Sequence, residues 1–404
     1  MKFNLNRYLL GLSMAIDCVE SELLGVTSNH GGRVALISMR MARALGLSEA
    51  EVFDIAAFAV LHDNGLAEEN LTRDDATRNR LSQVEDMPVH CEIGERNVSL
   101  FPFQSPARQV ILYHHEHWDG SGFFGLQGES IPLMAQIVGL ADYSDLKLRF
   151  GENRLGKREQ TLDFLDARRG SHFSPELVEA FREISTPTAF WLDLRNAFLD
   201  NALRRTMPDL EMETDWQGIL EISRVFSRII DSKSRFTHSH SSGLEDKTAR
   251  MAAFLGADPE TILQLRIAAA LHDVGKLAMP NAILDKPGPL DNTERAKMME
   301  HTYYTRKCLE LIPGLETITE WASNHHEKLN GEGYPLRLGA ERLDTWSRLL
   351  TVLDIYQALT EERPYRASLP HARTLEILRE LVKGNAVDAD LVHAVDQAFQ
   401  PIFR

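Results

Sequence analysis

The chain has 404 residues, 43% of them apolar and 25% charged. That is the composition of a soluble globular protein of two or three domains and excludes a disordered chain, a collagen-like fibre and a membrane bundle. Fifty-nine acidic against 44 basic residues leave a net charge of −15, which argues against a binder of nucleic-acid polymers or membrane surfaces but not against an anionic small molecule held at a local metal site.

Met1–Arg7 is mildly basic and Tyr8–Ile16 is apolar, in faint likeness to a signal peptide. The apolar stretch is too short to span a membrane, Asp17 ends it, and no small-residue cleavage site follows, so it reads as the first helix of a domain. Ser48 and Glu51 have capping-box spacing ahead of an apolar stretch that runs to Leu61. Ser174–Pro175 places an N-cap residue before a proline at the first helical position. A helical segment over Ala189–Arg205 ends at Met207–Pro208–Asp209, and Asp258–Pro259 repeats the N-cap signal. Between these marks apolar residues recur at three- and four-residue spacing, as in TILQLRIAAALHD at Thr261–Asp273, and alternating strand patterns are scarce. The expectation is an all-α protein of two domains, with a boundary between Ile184 and Asp215 that divides it into 1–205 and 206–404. The three cysteines, Cys18, Cys91 and Cys308, are odd in number and far apart. Neither a disulfide framework nor a thiolate metal site is expected, and a reduced cytoplasm fits best.

Histidine is the informative residue. His30, His62–Asp63, His90, His114–His115 and Asp142 form one series. His240, His272–Asp273, His301, His325–His326 and Asp354 form another, each member 210 to 212 residues after its match. Chance does not keep seven positions in step over half a chain, so the sequence is a tandem duplication. FAVLHDNGL at Phe58–Leu66 aligns with AAALHDVGK at Ala268–Lys276, and HHEHWDGSGF at His114–Phe123 with HHEKLNGEGY at His325–Tyr334. In the same register Tyr8–Val26 pairs with Gln217–Phe236.

A single His-Asp pair at a helix end is most often a satisfied core histidine. Here it comes with three further histidine positions and a distal Asp, twice over, and that pattern points to metal. Imidazole and carboxylate suit zinc, manganese or iron. Five histidines and two aspartates exceed the needs of one ion and meet those of two bridged by a carboxylate. In the second copy His240, His272 and Asp354 are assigned to one ion and His301, His325 and His326 to the other, with Asp273 bridging. Two ions ~3.5–4 Å apart hold a hydroxide between them and clamp a phosphate for in-line attack.

This constellation resembles the HD superfamily of metal-dependent phosphohydrolases, with two tandem HD-type helical bundle domains. HDVGK at His272–Lys276, HHEKLNGEGYP at His325–Pro335, DIYQALTEERPYR at Asp354–Arg366 and AILDKPGPL at Ala282–Leu290 are similar to the HD-GYP subfamily. The resemblance covers essentially Gln217–Arg404. It implies a bacterial phosphodiesterase that hydrolyses cyclic di-GMP, or in some members cyclic GMP-AMP, to a linear dinucleotide and on to mononucleotides. It implies that Lys276 stabilises charge at the scissile phosphate and that Tyr334 packs near a guanine or phosphate. Gly331 and Gly333 would let the backbone come close, Arg363 and Arg366 would bind the substrate's phosphate or guanine edge, and Glu327 would orient a ligand histidine. Some members have a glutamate four residues before the first histidine and bind a third metal. Phe236 stands there, so two divalent ions are expected, with iron and manganese the first candidates.

The first copy keeps all seven ligand positions, and with them the means to hold a metal. However, Leu66 replaces Lys276, and Phe123–Phe124 replace Tyr334–Pro335. Gly151–Glu152–Asn153 replace Arg363–Pro364–Tyr365, although Arg154 matches Arg366. It is expected to be a degenerate copy with a regulatory or dimerising role, and a homodimer is compatible with the sequence. Two alternatives stand beside the cyclic-dinucleotide enzyme: an HD phosphohydrolase for another nucleotide, against which the GYP and RPYR motifs argue, and a non-catalytic cyclic-dinucleotide sensor, against which the retained lysine and ligands argue.

Overall fold

The helix-start signals are made in the computed structural model, which describes residues 1–72, 88–152, 157–234, 240–362 and 367–400. The Ser48 amide donates to the Glu51 carboxylate at 2.8 Å and the Ser48 hydroxyl accepts from the Glu51 amide at 3.4 Å. This opens the Glu49–Leu61 helix. Ser174 and Asp258 cap their helices too, each with a proline in the first turn. Among the described residues the fold is all-α apart from one short antiparallel strand pair, Lys2–Phe3 with Met212–Glu213.

The expected helix over Ala189–Arg205 is two helices, Thr188–Asp193 and Asn196–Thr206. No proline or glycine marks the break at Leu194–Arg195. The turn buries Phe190 and Leu194 before it and Leu199 and Leu203 after it. It also presents Asn196 to the guanidinium of Arg33 and the hydroxyl of Ser28. Packing, not a local breaker, ends the first helix.

The chain divides into two compact units, Lys2–Glu213 and Thr214–Arg404, the latter with Met1. In the first, the His30–Ala44 helix packs on Glu49–Leu61, Leu133–Leu148 and Asn196–Thr206. Every side chain from Val52 to Leu61 is buried, so this helix has no wet face. Each of its large apolar side chains contributes roughly 1.5–3 kcal/mol by leaving water, and the rigid rod carries His62 and Asp63 at its end. The second unit repeats the plan. His240–Phe254 packs on Pro259–Leu271, which also meets Trp216–Ser232 and Glu316–Ser323.

One glycine in each unit brings two ligand-bearing segments together. A Cβ on Gly275 would lie 1.9 Å from the His301 carbonyl oxygen, and one on Gly65 would lie 2.2 Å from that of His90. Only glycine lets the turn after the His-Asp pair seat on the helix that bears the third histidine.

The pairing of the first helices departs from expectation. Asp17 accepts from the Gly31 amide at 2.9 Å, and Asp231 from the hydroxyl of Ser241 at 2.6 Å and its amide at 3.4 Å. These equivalent caps lie 214 residues apart, one helical turn out of the 210 register. The Leu5–Leu24 helix runs on past Asp17 to a left-handed Gly25, whereas Trp216–Ser232 ends one residue after Asp231.

Candidate metal centre

Five segments of the second unit converge on one cluster. His240 opens the His240–Phe254 helix, and His272 and Asp273 leave the end of Pro259–Leu271. His301 lies within Asn292–Leu309, His325 and His326 follow Glu316–Ser323, and Asp354 lies within Thr345–Thr360. All are buried except His326, which is half-buried.

Three of the histidines are oriented by one local device. Nδ1 of His272 donates to the Ala269 carbonyl at 2.7 Å, Nδ1 of His301 to Met298 at 2.7 Å, and Nδ1 of His325 to Ala322 at 2.6 Å. Each bond reaches back three residues along the chain. It fixes the tautomer, so Nε2 presents a lone pair to the cluster. His301 Nε2 and His325 Nε2 face each other at 3.4 Å. Burial pushes the His301 imidazole down to about 3, with His325 well below and His326 below their ordinary value for the same reason. All three are therefore neutral, as a metal ligand must be.

Asp273 stands between two sets. Its Oδ2 lies 3.1 Å from His272 Nε2 and 4.0 Å from His240 Nε2. Its Oδ1 lies 3.4 Å from His301 Nε2 and 3.8 Å from His325 Nε2. Asp354 approaches His240 Nε2 at 3.1 Å, His272 Nε2 at 4.0 Å and, with its other oxygen, His326 Nδ1 at 3.8 Å. Burial works against the charge on Asp273, but His272 and Lys276 outweigh it and hold the carboxyl well below its ordinary range. For His240 burial is likewise outweighed, by hydrogen bonds to Asp354 and Glu361, and its imidazole rises to about 9. Among the described residues His272 Nε2 and Asp273 Oδ1 have no hydrogen-bond partner although both are buried. Buried polar atoms rarely stay unsatisfied. An all-imidazole and carboxylate set with inward lone pairs fits a divalent metal.

The second unit's other expected residues surround this cluster. Lys276, in the tight turn Val274–Ala278, donates to Asp273 Oδ2 at 2.5 Å. The Tyr334 ring lies against His326, with centroids 4.9 Å apart, and is edge-on to His301 at 6.4 Å. Around Gly333 the chain packs closely on itself. A Cβ there would lie 2.5 Å from Glu327 Cα and 2.5 Å from the Lys328 nitrogen, so the close approach it permits is that of the chain to itself. Among the described residues Glu327 makes no hydrogen bond to a ligand histidine. Its two oxygens accept from the amides of Leu336 at 2.6 Å and Leu338 at 2.8 Å, which closes the loop that presents Tyr334. Arg363 and Arg366, and Phe236 at the third-metal position, lie outside the described residues.

The first unit builds a parallel cluster. His62 Nδ1 donates to Ala59 at 2.9 Å and His114 Nδ1 to Ile111 at 2.6 Å. His30 Nε2 lies 3.1 Å from Asp142, and His115 Nε2 lies 3.1 Å from His90 Nε2. Asp63 again faces two ways, with Oδ2 3.5 Å from His62 and Oδ1 3.6 Å from His90 and 3.8 Å from His114. Leu66 is buried where the second unit has its lysine, and Phe123 meets His115 edge-on at 5.7 Å where Tyr334 lies tilted against His326 at 4.9 Å. Arg154 lies outside the described residues.

Several cluster residues carried no recognised signal. Glu361 meets His240 Nδ1 at 3.2 Å, and in the first unit Asp145 meets His30 Nδ1 at 2.6 Å. Arg33, fully buried, holds Asp145 in turn at 2.9 Å. Asp145 follows Asp142 by three residues on one helix face, a spacing that could have found it. Cys91 was set aside with the other cysteines, yet its Sγ sits 3.4 Å from His90 Nε2. Its place next to a ligand histidine was the available sign.

Two helical units, each closed around a buried His-Asp cluster, define a duplicated domain with a candidate metal site in each copy. The HD-domain family profile matches residues 14–177 and again 224–391, and the chain belongs to that family. It is 28% identical over 410 residues to 3'3'-cGAMP-specific phosphodiesterase 1 of Vibrio cholerae serotype O1, covering 99% of this chain and 93% of that one. The crystal structure of the cyclic GMP-AMP-specific phosphodiesterase V-cGAP3 of V. cholerae superposes with a TM-score of 0.69 at 26% identity over 99% of both chains. A cyclic di-GMP phosphodiesterase of Thermotoga maritima is 28% identical over 187 residues, 46% of this chain and 50% of its own. Among the described residues no helix is long and apolar enough to cross a membrane.

Proposed function

We propose that the chain is a metal-dependent phosphodiesterase that hydrolyses a bacterial cyclic dinucleotide to the linear form and on to mononucleotides, with its chemistry in the second unit, Thr214–Arg404. The observation that carries this reading is Asp273: its two oxygens face separate histidine sets, and Lys276 touches one of them. His240, His272 and Asp354 would hold one ion and His301, His325 and His326 the other, with Asp273 shared. Iron and manganese suit this set. Such a pair of ions supplies Lewis acidity and a water activated for attack on phosphorus.

The chain's own residues do the rest. Lys276 places a positive charge where the phosphorane's negative charge develops. Tyr334 offers an aromatic face beside His326 to a guanine base, and Glu327 keeps that loop in place through Leu336 and Leu338. Arg363 and Arg366 supply planar forks for the phosphate or the guanine edge. In the first unit Leu66 stands for the lysine, so that unit regulates rather than cuts.

The relatives matched over nearly their whole length bear cyclic GMP-AMP names, whereas the Thermotoga cyclic di-GMP enzyme is matched over half of its own. This supports 3'3'-cyclic GMP-AMP as the preferred substrate. Three cysteines, odd in number and far apart in the sequence, suit a reduced cytoplasm. The test is anaerobic purification, metal analysis, and chromatography of products from both cyclic dinucleotides. Metal-replete protein that cuts neither refutes the reading.

A further inference from the structure

Glu20 is a buried acid that the proposed hydrolysis does not use. It lies on the Leu5–Leu24 helix at 0% exposure, and among the described residues neither carboxylate oxygen has a hydrogen-bond partner. A carboxylate removed from water without a partner is unfavourable. Its carboxylate, His62 and Asp63 each offer one donor atom to a group whose members all lie within 4.8 Å of one another. His62 Nε2 also lacks a hydrogen bond, as does Asp63 Oδ1, the oxygen that faces His90 and His114. His62 Nδ1 is committed to the Ala59 carbonyl, so the Nε2 lone pair is the part of the ring left to face the two acids.

Two carboxylates and an imidazole lone pair packed together repel one another. A proton on Glu20 would relieve one charge and donate to one of the other two groups, leaving the third still without a donor. One divalent cation meets all three groups at once. The register of the first helix explains why the acid is there: the extra turn after Asp17 carries Glu20 into the cluster. Three residues after the equivalent Asp231 stands Ser234, whose hydroxyl donates to Asp285 at 2.6 Å. At that place the second unit has no acid.

We propose that Glu20 is a ligand of a divalent metal ion in the first unit, together with His62 and Asp63. This donor makes the site more closed than that of the second unit. Closed sites hold metal for structure, and catalytic ones keep a position free for water or substrate. The assignment does not depend on the hydrolytic reading, because its readout is metal content.

Glu20→Gln keeps the size of the side chain and removes its charge. The full-length variant and its parent are loaded with manganese, dialysed, checked for helicity by circular dichroism, and analysed by plasma mass spectrometry. The expected result is about one ion per chain fewer in the variant. A melting temperature that chelator lowers in the parent and leaves nearly unchanged in the variant would agree. Parental metal content in folded Glu20→Gln protein overturns the proposal. If the variant does not fold, crystals of the manganese-loaded parent decide. Anomalous density within bonding distance of the Glu20 carboxylate supports the assignment, and its absence there overturns it. Hydrolysis of cyclic dinucleotides by the same samples reports separately on the second unit.

Discussion

Replacing Lys276 with alanine removes the cation nearest to the Asp273 carboxylate. The ammonium lies 2.5 Å from Oδ2 and its side chain is only 20% exposed. A unit charge about 4 Å from another at an effective dielectric near 20 interacts by ~4 kcal/mol. Loss of one preorganised electrostatic donor elsewhere slows turnover by ~10²–10³, which corresponds to ~2.7–4 kcal/mol, so the two scales agree. Lys276→Ala is therefore expected to lower kcat by that factor. Metal content should hold, because Lys276 touches Asp273 but is not among the seven expected ligands. The assay is product chromatography under saturating cyclic dinucleotide, paired with metal analysis of the same preparation. Turnover within a few-fold of the parent would refute the role. Loss of the metals would refute it in another way, by making Lys276 a residue of site assembly.

Three further outcomes are expected. A structure of metal-replete protein should place two ions in the second unit with Asp273 between them; one ion or three would contradict the ligand partition. His272→Ala with Asp273→Ala should abolish cyclic dinucleotide hydrolysis, whereas His62→Ala with Asp63→Ala should leave it largely intact and lower the melting temperature, since metal binding contributes folding free energy. Comparable losses of turnover in two folded double mutants would mean that the first unit is an essential partner site. Gly275→Ala forces a methyl to 1.9 Å from the His301 carbonyl. It should cost about 1–3 kcal/mol as an overpacking change, read as a lowered denaturation midpoint, and an unchanged midpoint would show that the turn has room to move.

The metal cluster was legible because few side chains perform this chemistry and the duplication supplied its own comparison. His30 to Asp142 and His240 to Asp354 could be matched without any structure. Helix starts were legible for a similar reason, since Ser48, Ser174 and Asp258 act on amides two or three residues away. The first helices carried no such marker. Their apolar residues are interchangeable, so the histidine register was extended into them and missed one turn. Glu327 shows another limit: an acid beside two ligand histidines looks like their partner, but the Leu336 and Leu338 amides reach it first.

By itself the sequence determined the all-α class, the duplication, the metal-capable residues of each copy and the asymmetry of Lys276 against Leu66. These follow from residue chemistry and from spacing along the chain. Only the tertiary structure decided which oxygen of Asp273 faces which histidines, that Glu361 and Asp145 back the first histidine of each unit, and that Glu20 enters the first cluster while Ser234 turns to Asp285. Asp145 and Glu361 stand more than 100 residues from the histidines they meet. Such contacts depend on where a helix stops and which face it turns inward, and those are set by packing rather than by any local pattern of residues.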